Sequence, residues 1–285
     1  MPTLIIITLL WAFSFSLIGE FLARDVDAYI AVFIRMILAL ILLLPFLKIG
    51  HLSRSRRLQL MAIGGIQIGV MYLLLYHAFL YISVAEVLLF TIFTPLYITL
   101  LDEQILNRKP LPKIWWLAAV ISVVGAAVIR YQGLSPDFLT GFLLIQGANI
   151  CFALGQVAYK RLPLGSDREQ LQVYGLFFLG ATLVSGLGML LFGNFERLPT
   201  TWVHWTVLLW LGLGASGCGY LAWSIASKKV NVGQLATMNN ALIPAGLLVN
   251  FLLWGQDVNW ATLTLGAIII GFAVWLPSYY RTRHK

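Results

Sequence analysis

The chain alternates long apolar runs with short polar breaks. The runs fall at 3–22, 28–47, 59–80, 84–101, 114–130, 139–158, 171–192, 203–226, 233–254 and 260–279. A helix needs roughly 20 mostly apolar residues to cross the hydrocarbon layer, so the pattern predicts ten spanning helices. The breaks are marked by Gly, Pro and charged residues. The narrowest break separates the third and fourth runs. Tyr81–Ser83 must form a tight reversal there, because one helix through both runs would be too long for a single crossing.

Composition agrees with this pattern. Hydrophobic residues make up 60% of the 285 and charged residues 11%, against about 45–50% and about 25% in soluble domains. A water-soluble fold of this size could not cover that much apolar surface. The expected class is therefore an all-α integral membrane protein, with loops too short to hold a soluble domain. The first run has no Lys or Arg before it and exceeds a signal peptide in length, so it reads as a retained span.

The net charge of +8 could suggest a nucleic-acid partner, but the basic residues sit at segment ends and form no single face. Of the 19 Lys and Arg residues, Arg24, Arg130 and Arg197 fall in loops on one side of the membrane and Arg35 falls inside a span. All the others fall on the opposite side, which the positive-inside rule assigns to the cytoplasm. A missed or extra span would scramble this alternation. The charges therefore support ten spans, with N- and C-termini cytoplasmic and the cytoplasmic (inner) membrane as the location. The partners expected are a lipid bilayer and a small-molecule substrate, with no nucleic acid; monomer and homodimer both stay open. No His/Cys spacing suggests a metal, and no motif suggests a cofactor.

The two halves echo each other. Gly69-x-x-Tyr72-x5-Ala78 ahead of Pro95 matches Gly217-x-x-Tyr220-x5-Ala226 ahead of Pro244, with one extra residue before the second proline. A five-span offset is odd, so matching helices run in opposite directions. This predicts two inverted five-helix repeats, 1–133 and 134–285, a recurrent transporter plan with the solute site near the midplane between halves.

Leu10-Trp11-Ala12-x-Ser14-Phe15, Arg35, Tyr76-x-Ala78-x4-Ser83-x-Ala85, Thr94-Pro95 and Gly125 form a further set, echoed by Ala226, Asn231-Val232, Pro244 and Gly266-Ala267. In these features the chain resembles the EamA-type branch of the drug/metabolite transporter superfamily over nearly its whole length. The resemblance implies ten helices in two inverted repeats, and export or exchange of amino acids and other small metabolites. Members often carry a Gly-Glu pair before helices five and ten. This chain has Arg108-Lys109 and Gly255-Gln256 there, so no role of that glutamate carries over.

Charges within a span are expensive and point to function. Arg35, Glu86 and His77 share the external half of the membrane by their depth in the second, fourth and third spans. They are the expected gating or proton-coupling residues, with Arg35 fixing an external gate through an ion pair with Glu86 or Glu20. Glu20 and Glu86 at helix ends could equally snorkel to the interface. Pro95 and Pro244 cannot donate backbone bonds and are expected to kink their helices, freeing the carbonyls of Thr91 and Asn240. In lipid such carbonyls need a partner or a wet cavity.

The expected substrate cavity combines Trp11, Ser14, Phe15, Tyr72, Tyr76, Phe90, Thr94, Asn149, Gln156, Tyr220, Trp223, Asn239 and Asn240. Aromatics at helical spacing are also ordinary packing residues. Walls of aromatics and amides with few fixed charges suit a zwitterionic or weakly charged amphipathic solute. The glycine-rich stretches at 64–69, 180–188 and 212–219 read as close-packing, sliding surfaces. With no nucleotide-hydrolysing motif, the sequence reads as a secondary active transporter, not an enzyme, that exports or exchanges amino acids or related metabolites by alternating access. Multidrug or lipid efflux is the alternative, and a membrane-embedded lipid-modifying enzyme the reading from another class.

Overall fold

The computed structural model describes residues 2–102, 136–230 and 232–255, with isolated positions between 114 and 128 and between 261 and 279. The fifth and tenth expected spans and the unit boundary at 133/134 lie outside the described residues. All regular structure among the described residues is helical. The helices are α1 Pro2–Phe21, α2 Ala28–Phe46, α3 Arg54–Ala78, α4 Val84–Asp102, α5 Pro136–Arg161, α6 Asp167–Phe192, α7 Trp202–Lys228 and α8 Val232–Trp254. Among the described residues, seven helices are long and apolar enough to cross a membrane; in α8, Ala241–Trp254 forms a shorter apolar stretch.

These helices match eight of the expected spans within a few residues. The largest departure is α3, which begins at Arg54 rather than 59, with Ser53 Oγ accepting the Arg56 N–H at 3.2 Å. Hydropathy finds the part of a helix that suits lipid, whereas a capped, basic first turn continues the helix into water. Likewise, α6 starts at Asp167, capped by Ser166. The reversal expected at Tyr81–Ser83 is present. There Ser83 and Glu86 form a reciprocal capping box that starts α4.

Among the described residues, the main buried apolar cluster draws on all eight helices, and a smaller one joins Ile98 and Leu101 of α4 to Ala153 and Val157 of α5. The outside is apolar too: Leu190, Leu191 and Phe192 on α6 and Leu252 on α8 are more than 60% exposed, as lipid-facing residues should be.

The packing pairs show an internal order. Helix α1 packs on α8 and α7, while α5 packs on α4 and α3; α2 packs on α7, α6 packs on α3, and α2 and α6 pack on each other. Two long helices also widen locally to π-helical hydrogen bonding, α3 over Gly65–Val70 and α7 over Trp210–Cys218. Both widened stretches lie on glycine-lined crossings. A Cβ on Gly64 of α3 would overlap the Phe177 carbonyl of α6, and one on Gly69 would lie 3.3 Å from Ala181 Cα. On α7, a Cβ on Gly212 would lie 3.2 Å from the Arg35 carbonyl of α2, and one on Gly217 would lie 3.6 Å from Ala39 Cα. Residues 64 and 69 precede 212 and 217 by 148 positions, and residues 35 and 39 precede 177 and 181 by 142. The two crossings thus use the same backbone contacts at constant offsets.

Candidate functional site

Helices α1, α2, α3, α4, α5, α7 and α8 enclose a cavity of about 70 Å³. Its aromatic wall is built around Trp11 on α1. The Trp11 ring lies 4.7 Å from Tyr220, 4.8 Å from Trp223 and 6.3 Å from Phe152, measured between centroids. Its indole N–H donates to the Ala215 carbonyl at 2.9 Å. Ala215 lies in the widened stretch of α7, so the indole supplies a donor to a backbone that has left regular α-helical bonding. Phe15 from the next turn of α1 lines the same cavity, as does Ser14. The Ser14 hydroxyl bonds back to the Leu10 carbonyl at 3.0 Å.

The amide side is built on α4, α5 and α8. The backbone of α4 tightens to a 3-10 turn at Thr91–Phe93, just before Pro95. The Thr91 carbonyl, expected to be left open by Pro95, accepts the Thr94 N–H instead. The tighter turn moves the gap one residue upstream, where Asn149 Nδ2 donates to the Phe90 carbonyl at 2.8 Å. Thr94 Oγ1 donates to Asn149 Oδ1 at 3.3 Å. Asn239 lines the cavity from α8, and its amide donates to Gln156 Oε1 at 3.5 Å. Helix α8 runs through 240 and 244 without interruption; the side chains of Asn240 and Pro244 lie outside the described residues.

Among the described residues, one charged group reaches the cavity wall. Arg35 is fully buried and lines the cavity from α2. Its Nε donates to Ser216 Oγ at 2.6 Å, one terminal nitrogen donates to Tyr72 OH at 2.6 Å, and the other to Tyr76 OH at 3.4 Å. The guanidinium carbon also sits 3.9 Å from the centre of the Tyr72 ring, a cation–π distance. The expected ion pair with Glu86 or Glu20 is not formed; hydroxyls hold Arg35 in its place. Glu86 accepts the backbone N–H and hydroxyl of Ser83 at 2.8 and 2.9 Å, so it caps its own helix. His77 faces away from the cavity, with its ring 4.6 Å from Tyr29 and Nδ1 donating to the Leu73 carbonyl at 2.6 Å.

Of the residues expected at the cavity, Trp11, Ser14, Phe15, Tyr72, Thr94, Asn149, Tyr220 and Asn239 line it. Tyr76, Phe90, Gln156 and Trp223 stand directly behind the lining, each bonded or stacked to a lining residue. The sequence reading missed Ser216 and Phe152. Ser216 is the lone hydroxyl within Gly212–Gly219 and immediately precedes the landmark Gly217. Phe152 lies three residues after Asn149, on the same helical face. Among the described residues no group of three His, Cys, Asp or Glu side chains gathers to hold a metal.

A bundle of long apolar helices around a small cavity of aromatic rings, amides and one guanidinium is the architecture of a multipass membrane carrier. The sequence profile of the EamA-like transporter family matches residues 1–131. The "Biotin transporter" of Salmonella typhimurium is 44% identical over 277 residues, covering 97% of this chain and 92% of that protein. The chain therefore belongs to the EamA-like transporter family, and it is a multipass membrane transporter. The "Aromatic amino acid exporter YddG" of Ancylobacter novellus is 25% identical over 128 residues, covering 44% of this chain and 41% of that one. A solved protein crystal structure superposes with a TM-score of 0.67 over 97% of each chain at 20% identity, a likeness of fold alone.

Proposed function

We propose that this protein carries biotin across the cytoplasmic membrane by alternating access. The observation that carries this reading is the 44% identity, sustained over 97% of the chain, to a protein named as a biotin transporter. It replaces the amino-acid substrate expected from the sequence. The amino-acid exporter resembles less than half of this chain, at 25% identity.

The cavity chemistry supports the exchange of substrate. Biotin is an amphipathic carboxylate with a ureido ring fused to a thioether ring. Trp11, Tyr220 and Phe152 offer faces to an apolar, sulfur-bearing body, and Asn149 and Asn239 offer amides to a ureido group. No observation favours multidrug efflux, lipid efflux or an enzyme. The proposed frame is ten helices in two inverted five-helix repeats, 1–133 and 134–285, with both termini cytoplasmic. The mirrored helix pairs and the constant offsets of the two glycine crossings support that frame, as does the one-sided distribution of Lys and Arg.

The test is counterflow in proteoliposomes containing the purified protein. Vesicles preloaded with unlabelled biotin should accumulate labelled biotin, and a large excess of aromatic amino acids should leave the rate unchanged. Counterflow driven by amino acids, with none driven by biotin, would overturn the reading.

A further inference from the structure

We propose that Arg35 anchors the carboxylate of the transported solute, which makes the cavity selective for monoanionic carboxylic acids carrying an apolar ring body. The proposal rests on the biotin reading above and assigns one end of that molecule to one side chain.

Its first basis is an unbalanced charge. Arg35 is fully buried and lines the cavity, yet its three hydrogen-bond partners are neutral hydroxyls, those of Ser216, Tyr72 and Tyr76. A guanidinium has five N–H donors, so three bonds leave two donors without an acceptor among the described residues. A buried cation lacking a counter-charge is costly, and its planar fork matches a carboxylate in two parallel bonds. The hydroxyls act as stand-ins: they hold the guanidinium flat and keep it solvated between substrates. A carboxylate improves on them without meeting an already neutralised ion pair, which suits a carrier that must also release its cargo.

The second basis is independent. The α6–α3 crossing makes the same backbone contacts as the α2–α7 crossing, at the constant offsets described above. The counterpart of Arg35 is Phe177, and the counterpart of Ser216 is Ile68; both are fully buried. The crossing therefore forms with an apolar pair. The fold does not require a guanidinium and a hydroxyl at this contact, so their presence at the cavity calls for another cause, and an anionic ligand supplies it.

The experiment compares biotin with its methyl ester and its alcohol, which keep both rings and lose the negative charge. Binding is followed by thermal shift of the purified full chain, and transport by competition in biotin counterflow. The wild type should bind the ester and the alcohol roughly 30-fold or more weaker than biotin, the scale of losing one partner of a buried charge pair. Arg35→Gln should lose this preference and bind all three alike. Arg35→Lys should keep a reduced preference for the acid. Equal binding of acid and ester by the wild type would overturn the proposal, even if Arg35→Gln fails to fold. A preserved acid preference in folded Arg35→Gln would overturn it as well. A wild type that binds and carries no biotin in any form would instead remove the biotin reading on which the proposal rests.

Discussion

At the α6–α3 crossing, Phe177 lies over Gly64 and packs within an aromatic group, with its ring 4.7 Å from Tyr174 and 5.9 Å from Tyr159. At the α2–α7 crossing, Arg35 occupies the matching position over Gly212, and its side chain ends on three hydroxyls at the cavity wall. The backbones agree and the side chains diverge. Both partner helices widen next to the contact, but Gly65–Val70 presents Ile68 to an apolar interior, whereas Trp210–Cys218 presents Ser216 to Arg35 and Ala215 to Trp11. One crossing serves as scaffold; its counterpart has been fitted with polar chemistry. Matching backbone contacts thus carry apolar packing at one crossing and polar cavity-wall chemistry at the other.

The comparison can be broken most severely at the scaffold crossing. Phe177→Arg places a guanidinium among Tyr159, Tyr174 and Phe178, where the two tyrosine hydroxyls are already bonded to Gln170, Ser224 and the Tyr220 carbonyl. It should cost several kcal/mol and leave little monodisperse protein on size-exclusion chromatography in detergent. A well-folded Phe177→Arg would mean that the two crossings are not chemically distinct. A smaller loss is expected from Gly64→Ala, whose new methyl overlaps backbone rather than a movable side chain. It should lower stability by about 1–3 kcal/mol, as overpacking does, seen as a drop in melting temperature. Gly50→Ala, with nothing within 4 Å of the added carbon, is the control. The smallest effect belongs to Ser216→Ala. One bond to a charged group is worth about 1.5–3 kcal/mol, but Tyr72 and Tyr76 still hold the guanidinium, so the melting temperature should change little. Biotin binding should weaken by roughly three- to tenfold, measured by thermal shift across a biotin titration.

Eight of the expected spans were legible because lipid imposes a length and a composition on them. The helix ends were less legible. At α3, Ser53, Arg54 and Arg56 carry the helix beyond the apolar run, and hydropathy has no means of recording that. Most cavity residues were readable because Trp11, Asn149 and Asn239 stand out in otherwise apolar helices. Phe152 does not stand out, since a lipid-facing phenylalanine has the same sequence signature. Ser216 was hidden for another reason: its role depends on a widened backbone, and the glycine-rich run around it reads as packing surface. Arg35 was found, but its partners were misassigned. Sequence depth suggested carboxylates in the same leaflet, whereas the helix crossing brings hydroxyls from α3 and α7 to it. The amino-acid substrate was misread because aromatic rings and amides fit many amphipathic solutes.

The most direct test gives the site crossing the residues of the scaffold crossing, in the double variant Arg35→Phe with Ser216→Ile. Purified from detergent and reconstituted, it is measured for melting temperature and biotin counterflow side by side. The double variant should fold, melt near the wild-type temperature and carry no biotin. Retained biotin counterflow would contradict this, and so would collapse of the fold, which would show that Arg35 and Ser216 hold the helices together rather than the solute.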